Sequence, residues 1–296
     1  MIHVADGSAL IAAFLNGSIG ALSRYGFYFE ATHHQLAFYK CFFAFLLLLT
    51  LVLLNKTKRR EFIALHRRAK EISILAGFGI FSLYFFETWA FAEANIPLVS
   101  FLTYASGGVT ILLASFILNE ALTLPKICAF LLMVFGILLM SITEIGHSGS
   151  MLGFALACAG GIGYSLFLLL SKFYKMPAGI VTLTWFFGFG SVYLFIPMAI
   201  DGVSFPNFYA LGIIFLLVLF PTIGGYYFTM RALQHGEASK VQIIETSDPL
   251  FASLFAFILF GDMLTGYGMI GAALIFTGLL VAITGHRLKL KAKKHS

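Results

Sequence analysis

Residues 240–262 read KVQIIETSDPLFASLFAFILFGD. From Val241 to Gly261 the stretch is long and apolar enough to cross a bilayer, which takes about 20 residues in a helix. Its first half nevertheless carries Glu245, Asp248 and Pro249. A carboxylate at bilayer depth costs about 2.5–3.5 kcal/mol on insertion scales, and proline breaks the helical hydrogen-bond ladder. The remainder of the sequence decides whether this segment is a membrane span and what two acids do inside it.

Composition decides the first point. Of 296 residues, 60% are hydrophobic and 11% are charged, against about 25% charged in a soluble domain. The apolar runs do not alternate, so they are helices and not barrel strands, the two structures that satisfy their backbone in lipid. Ten spans are predicted at about 8–29, 35–54, 72–91, 97–118, 125–143, 151–171, 178–199, 208–231, 240–261 and 266–284, with one long loop at Asn55–Glu71. The opening residues MIHVADGSAL lack a basic region and a small-residue cleavage site, so no cleaved signal is expected. Cys41, Cys128 and Cys158 all lie in apolar runs without a CxxC pair and read as packing residues.

The basic residues set the orientation. With the N-terminus cytoplasmic, the loop 55–71, the later even-numbered connections and the tail from Arg287 on hold all but two of the 19 Lys and Arg. The exceptions, Arg24 and Lys40, fall inside spans one and two. This is the positive-inside pattern with both termini cytoplasmic. The net charge of +6 is thereby a topological signal with a role at anionic lipid. It does not predict nucleic-acid binding.

A shift of 142 residues lays spans three to five over spans eight to ten without a gap. Tyr84 meets Tyr226, Gly136 meets Gly278, Thr123 meets Thr265, and Glu120 meets Asp262 in charge. Five spans per half is an odd number, so the second half is inverted relative to the first. The expected fold is all-α and membrane-integral. Its first repeat is 1–147, its inverted second repeat 148–285, and a basic cytoplasmic tail covers 286–296. Inverted repeats are a common build of secondary transporters, with the substrate site near the midplane between halves.

The stretches WAFAEANIPLVSFLTYASGGVTILLASFILNEALT (89–123) and MRALQHGEASKVQIIETSDPLFASLFAFILFGDMLT (230–265) resemble the two repeats of EamA-type carriers in the drug/metabolite transporter superfamily. Each ends a span in an acidic residue followed by Leu-Thr. The Arg often found early in that pattern's second span corresponds here to Lys40, and the first-half counterpart of Pro249 is Gly107. The resemblance implies transport of a small metabolite across the inner membrane by alternating access. Its cargo class would be amino acids or related compounds, often exported. Uptake of a larger metabolite, such as S-adenosylmethionine or a nucleotide derivative, is the alternative. A membrane-embedded enzyme would need a nucleophile with a matching base or a His/Asp cluster, and the sequence offers neither; no cofactor and no metal site are expected.

Candidate site residues follow from depth, at about 1.5 Å per helical residue. Asp248 lies roughly 12 Å from Lys240, close to midplane, and shares a helix face with Glu245. The pair meets a substrate amine or a coupling proton, or else is a structural pair neutralised by its neighbours. Asn16, Tyr84, Trp89, Tyr104, Tyr164, Tyr226 and Tyr227 are candidates for the wall of the same central cavity, with Ser18 and Trp185 also near polar positions. Arg24, Lys40 and Glu87 fall in one outer layer, either as a charged vestibule or as cations that snorkel to the interface. GYGMIG (266–271) matches a nucleotide-loop spacing but opens an apolar span, so it reads as helix packing. The tandem His33–His34 is a weak metal motif. Tags at His33, His147 and Gly202 are expected outside the cell, and tags within 55–71 or after Arg287 inside. Reporter fusions would check this, and a cytoplasmic His147 would overturn the five-plus-five inversion.

Overall fold

The computed structural model describes residues 4–106, 108–144, 147 and 149–292. Gly107 and the tail residues Lys293 and Lys294 lie outside them. Among the described residues, nine helices are long and apolar enough to cross a membrane. They are Val4–Tyr28, His33–Leu54, Lys56–Glu93, Ile96–Ile117, Leu124–Glu144, Met151–Phe173, Ile180–Asp201, Phe208–His235 and Ala238–Phe260. A tenth, Gly266–Ala292, completes the set, and these are called spans one to ten below. The expected loop 55–71 is largely helical. Asn55 Oδ1 accepts from the Thr57 and Lys58 backbone N–H groups and starts the helix Lys56–Leu65, which a short 3₁₀ turn joins to the rest of span three from Ala69 on.

Local sequence fixes where the spans begin. Thr32, Asn95, Ser150 and Asn207 each accept a backbone N–H of the first helical turn that follows. Such oxygens satisfy donors that a helix start leaves orphaned. Spans two, four, six and eight thus all start, with their own caps, at the face opposite the 55–71 segment. Span nine is capped differently. Glu120, from the connection between spans four and five, accepts from the Ala238 N–H at 2.8 Å and from Ser239. Under the repeat, Asp262 would do the same for span four. The position matching Ser239 is Pro97, which has no N–H to give, and Asp262 pairs with Arg24 instead.

Spans one, three, four, six, eight and nine form the centre, with spans two and seven packed together on one flank and spans five and ten on the other. The inversion is visible in the five–ten contact. A Cβ on Gly136 would lie 2.7 Å from the Gly271 carbonyl oxygen, and one on Gly278 would lie 2.9 Å from that of Ala129. Since 129 maps to 271 and 136 to 278, the two contacts are the same contact seen from each repeat. Tyr84 and its counterpart Tyr226 meet edge-to-face, with centroids 5.8 Å apart. A residue touching its own repeat mate marks the pseudo-two-fold axis. Two π-helical stretches, Gly77–Glu87 in span three and Val218–Gly225 in span eight, also fall at matching places in the two repeats.

Small residues at the five–ten crossing let the backbones approach, the usual basis of helix association in lipid. Gly136→Val is therefore expected to destabilise by about 1–3 kcal/mol through overpacking. Gly212→Ala, where an added Cβ meets open space, should leave the melting temperature unchanged or raised. Thermal unfolding in detergent measures both.

Candidate functional site

Span nine stops being helical after Glu245 and restarts at Asp248, with Pro249 in the new first turn. The break is locally satisfied. Thr246 Oγ1 donates to the Gln242 carbonyl at 2.9 Å, and Ser247 Oγ to that of Ile244 at 2.7 Å. Span one is interrupted beside it, at Gly17, where a Cβ would lie 3.2 Å from the Asp248 carbonyl and 2.7 Å from Phe251 Cβ. Only a residue without a side chain fits between these two broken helices. Asp248 stands at the N-terminal end of the restarted helix, where the helix dipole favours negative charge.

Three carboxyl groups and one ammonium lie buried around this break. Glu245 is 0% exposed, Asp248 and Glu87 2% each, and Lys40 1%. Glu245 accepts two hydrogen bonds, from the Tyr164 hydroxyl at 2.6 Å and from Thr229 Oγ1 at 2.6 Å. Asp248 lies within electrostatic reach of Glu87 and Glu245, with Tyr104 beside it. Lys40 neighbours Glu87, donates to Thr88 Oγ1 at 2.9 Å and places its ammonium 4.2 Å from the Tyr84 ring centre. A cation over a tyrosine face is stabilised by the ring quadrupole. Tyr104, Tyr164, Tyr226 and Tyr84 then form a chain of edge-to-face contacts with centroids 6.0, 6.5 and 5.8 Å apart. Gln242 closes one side by donating to the Tyr104 carbonyl at 3.2 Å.

The candidates named from sequence separate into groups. Tyr84, Tyr104, Tyr164, Tyr226, Glu245 and Asp248 gather in this one buried cluster. Asn16 is buried against Gly225, at the end of the first half of span one. Glu87 and Lys40 also belong to the cluster, beside one another. Arg24 is not with them: it pairs with Asp262 at 2.6 Å and sits 5.2 Å from the Phe260 ring. Trp89 turns away from the cluster, stacked on His33 at 4.9 Å, and the His33 and His34 rings meet at a tilt, 4.1 Å apart. Tyr227 lines a separate cavity of about 430 Å³ with Lys58 and Pro177 at the basic end. Trp185 lies at that end too, donating to the Phe62 carbonyl at 3.1 Å, and Ser18 bonds its own helix at Leu15.

Sequence reading missed Thr229 and Gln242 in the cluster, although the repeat carried a signal for the first, because the 142-residue shift sets Thr229 on Glu87. It also missed the ties at the two ends of the bundle. At the basic end Lys126 bridges Glu120 at 3.5 Å and Glu237 at 3.0 Å, while Lys240 pairs with Asp6. A mouth of about 770 Å³ opens there, lined by Lys172, Lys175, His235 and Lys240 among others. At the opposite end Ser150 donates to Glu93 at 3.0 Å and Gln35 to Ser204 at 2.7 Å.

Two inverted five-helix repeats with a polar cluster buried between broken helices make the chain a membrane transporter of small solutes. It belongs to the EamA-like transporter family, whose sequence profile matches residues 4–142 and 151–284, one match per half. No curated protein matches the sequence significantly. Among solved structures, one described only as "Crystal structure of protein" shares the fold with a TM-score of 0.74 at 15% identity, covering 96% of this chain and 98% of its own.

The Glu245 contacts generate a stability test. Tyr164→Phe removes one donor to a buried carboxylate and is expected to cost about 1.5–3 kcal/mol. In a Glu245→Gln background the same change should cost clearly less. A double-mutant cycle on melting temperatures reads the difference.

Proposed function

We propose that this chain is a secondary carrier that moves a small, amine-bearing metabolite, an amino acid or a relative of one, by alternating access. The observation that carries this reading is the charge in the central cluster, where the buried carboxylates Glu87, Glu245 and Asp248 lie with one buried ammonium, that of Lys40 beside Glu87. Each carboxylate is expensive at this depth, and a purely structural role would be served as well by uncharged packing. An excess of buried negative charge suits a cargo with a positive group. The tyrosines around it suit a cargo with an apolar body, since aromatic faces accept both cations and hydrocarbon. We place Asp248 and Glu245 at the cationic end of the cargo, with Tyr104, Tyr164 and Tyr226 along its length.

The breaks at Gly17 and at Thr246–Ser247 supply the bending points. The end ties, Lys126 with Glu120 and Glu237 on one side and Arg24 with Asp262 on the other, are the contacts that alternating access would make and release in turn. By the positive-inside pattern the 55–71 end faces the cytoplasm and the protein sits in the inner membrane. We read the direction as export and the chain as non-enzymatic, both by its resemblance to EamA-type carriers.

Asp248→Asn is expected to lower flux at least about tenfold, equivalent to about 1.4 kcal/mol, while leaving the melting temperature unchanged. Purified protein in vesicles, assayed with a panel of labelled amino acids and related amines, measures this. Full flux in both Asp248→Asn and Glu245→Gln would refute the cargo role. Lost flux with a collapsed melting temperature would mark the acids as structural, because breaking a buried pair costs about 3–5 kcal/mol.

A further inference from the structure

Under the repeat, Glu87 falls on Thr229 and Thr103 on Glu245. Each half therefore has one carboxylate and one threonine at these two positions, with the order exchanged. In the second half the pair is closed, Thr229 donating to Glu245 at 2.6 Å while Tyr164 satisfies the other carboxylate oxygen. In the first half it is open. Glu87 Oε2 and Thr103 Oγ1 are both buried and have no hydrogen-bond partner among the described residues. Asp248 Oδ2 is in the same condition, and Asp248 and Glu87 lie within each other's field. A buried carboxylate oxygen without a donor is costly until positive charge reaches it.

We propose that Glu87 and Asp248, one from each repeat, form a single proton-binding site that is loaded from one aqueous face and released to the other, and that Glu245 takes no part in it. The proton adds to Asp248 Oδ2 and leaves from the same oxygen, so no other bond changes. Lys40, hydrogen-bonded to Thr88 and seated over Tyr84, provides the fixed countercharge for Glu87 and leaves Asp248 as the acceptor. The ionisable groups facing the pair are Lys40 from span two, Tyr84 from span three, Tyr104 from span four, Tyr164 from span six, Tyr226 from span eight and Glu245 from span nine. Lys40 is the sole cation among them. The inference deepens the carrier reading by naming the ion that drives it, and it rests on that reading.

Infrared difference spectroscopy of the full chain in lipid nanodiscs, with pH as the only variable, tests the site. The wild type should show a protonated-carboxyl band that disappears as pH rises. Asp248→Asn should abolish it. Glu87→Gln should move its midpoint by about one pH unit or more, the scale of a nearby charge, and Glu245→Gln should retain the band with a smaller shift, Glu245 being the weaker of the two charges on Asp248. If Asp248→Asn fails to fold, Asp248→Glu keeps a carboxyl and should retain a pH-sensitive band at a displaced frequency. A band unchanged in Asp248→Asn, lost only in Glu245→Gln, or responding to sodium at fixed pH would overturn the proposal. A metabolite panel giving no flux would end the cargo reading without touching this spectrum. A spectrum without a pH-sensitive band would end the proton site without touching any measured flux.

Discussion

Negative charge buried away from water organises the centre of this molecule. In a medium of low dielectric a carboxylate must find donors, a cation or a proton, and three carboxylates here find them in three ways. Glu245 takes two hydroxyls, Glu87 takes the neighbourhood of Lys40, and Asp248 stands at a helix start with Tyr104 beside it. Those needs account for much of what the surrounding spans do. Span six presents Tyr164, span eight Thr229, and span two brings a lysine through otherwise apolar packing. Span one loses a side chain at Gly17 so that the broken part of span nine can come close.

The two halves share a backbone plan and diverge where side chains meet charge. Glu120 and Asp262 are repeat mates, yet one caps a helix and the other holds an arginine, because a proline stands where the second cap would form. Lys126, set between Glu120 and Glu237, further ties the connection after span four to the start of span nine. The basic end is thus held by contacts between different repeats. Several ties at the other end are hydrogen bonds of polar side chains, such as Gln35 with Ser204.

The span count and the inversion were legible because they depend on quantities a sequence carries directly: apolar length and the register of one half against the other. Span three runs to Glu93, two residues past its expected end. Its π-helical stretch also alters the helical phase, so Trp89, expected beside Tyr84 in the cavity, faces His33 and His34 instead. The pairing of Arg24 with Asp262 spans 238 positions, and no local pattern announces such a partner. Thr229 was hidden for a different reason, since a lone threonine in an apolar span has no distinguishing neighbours until Glu245 is folded against it.

The matched π-helical stretches of spans three and eight have a mechanical meaning. A π turn holds its hydrogen bonds one residue out of step with an α-helix. Returning one such turn to α register turns everything beyond it by about 100° and slides it by about 1.5 Å, at the expense of no backbone hydrogen bond beyond those being exchanged. Glu87 and Thr88 end or follow the stretch in span three, and Tyr226 and Thr229 follow the one in span eight. Each span can therefore act as a screw whose thread advances by one residue, swinging its polar side chains about the helix axis while its far end stays anchored.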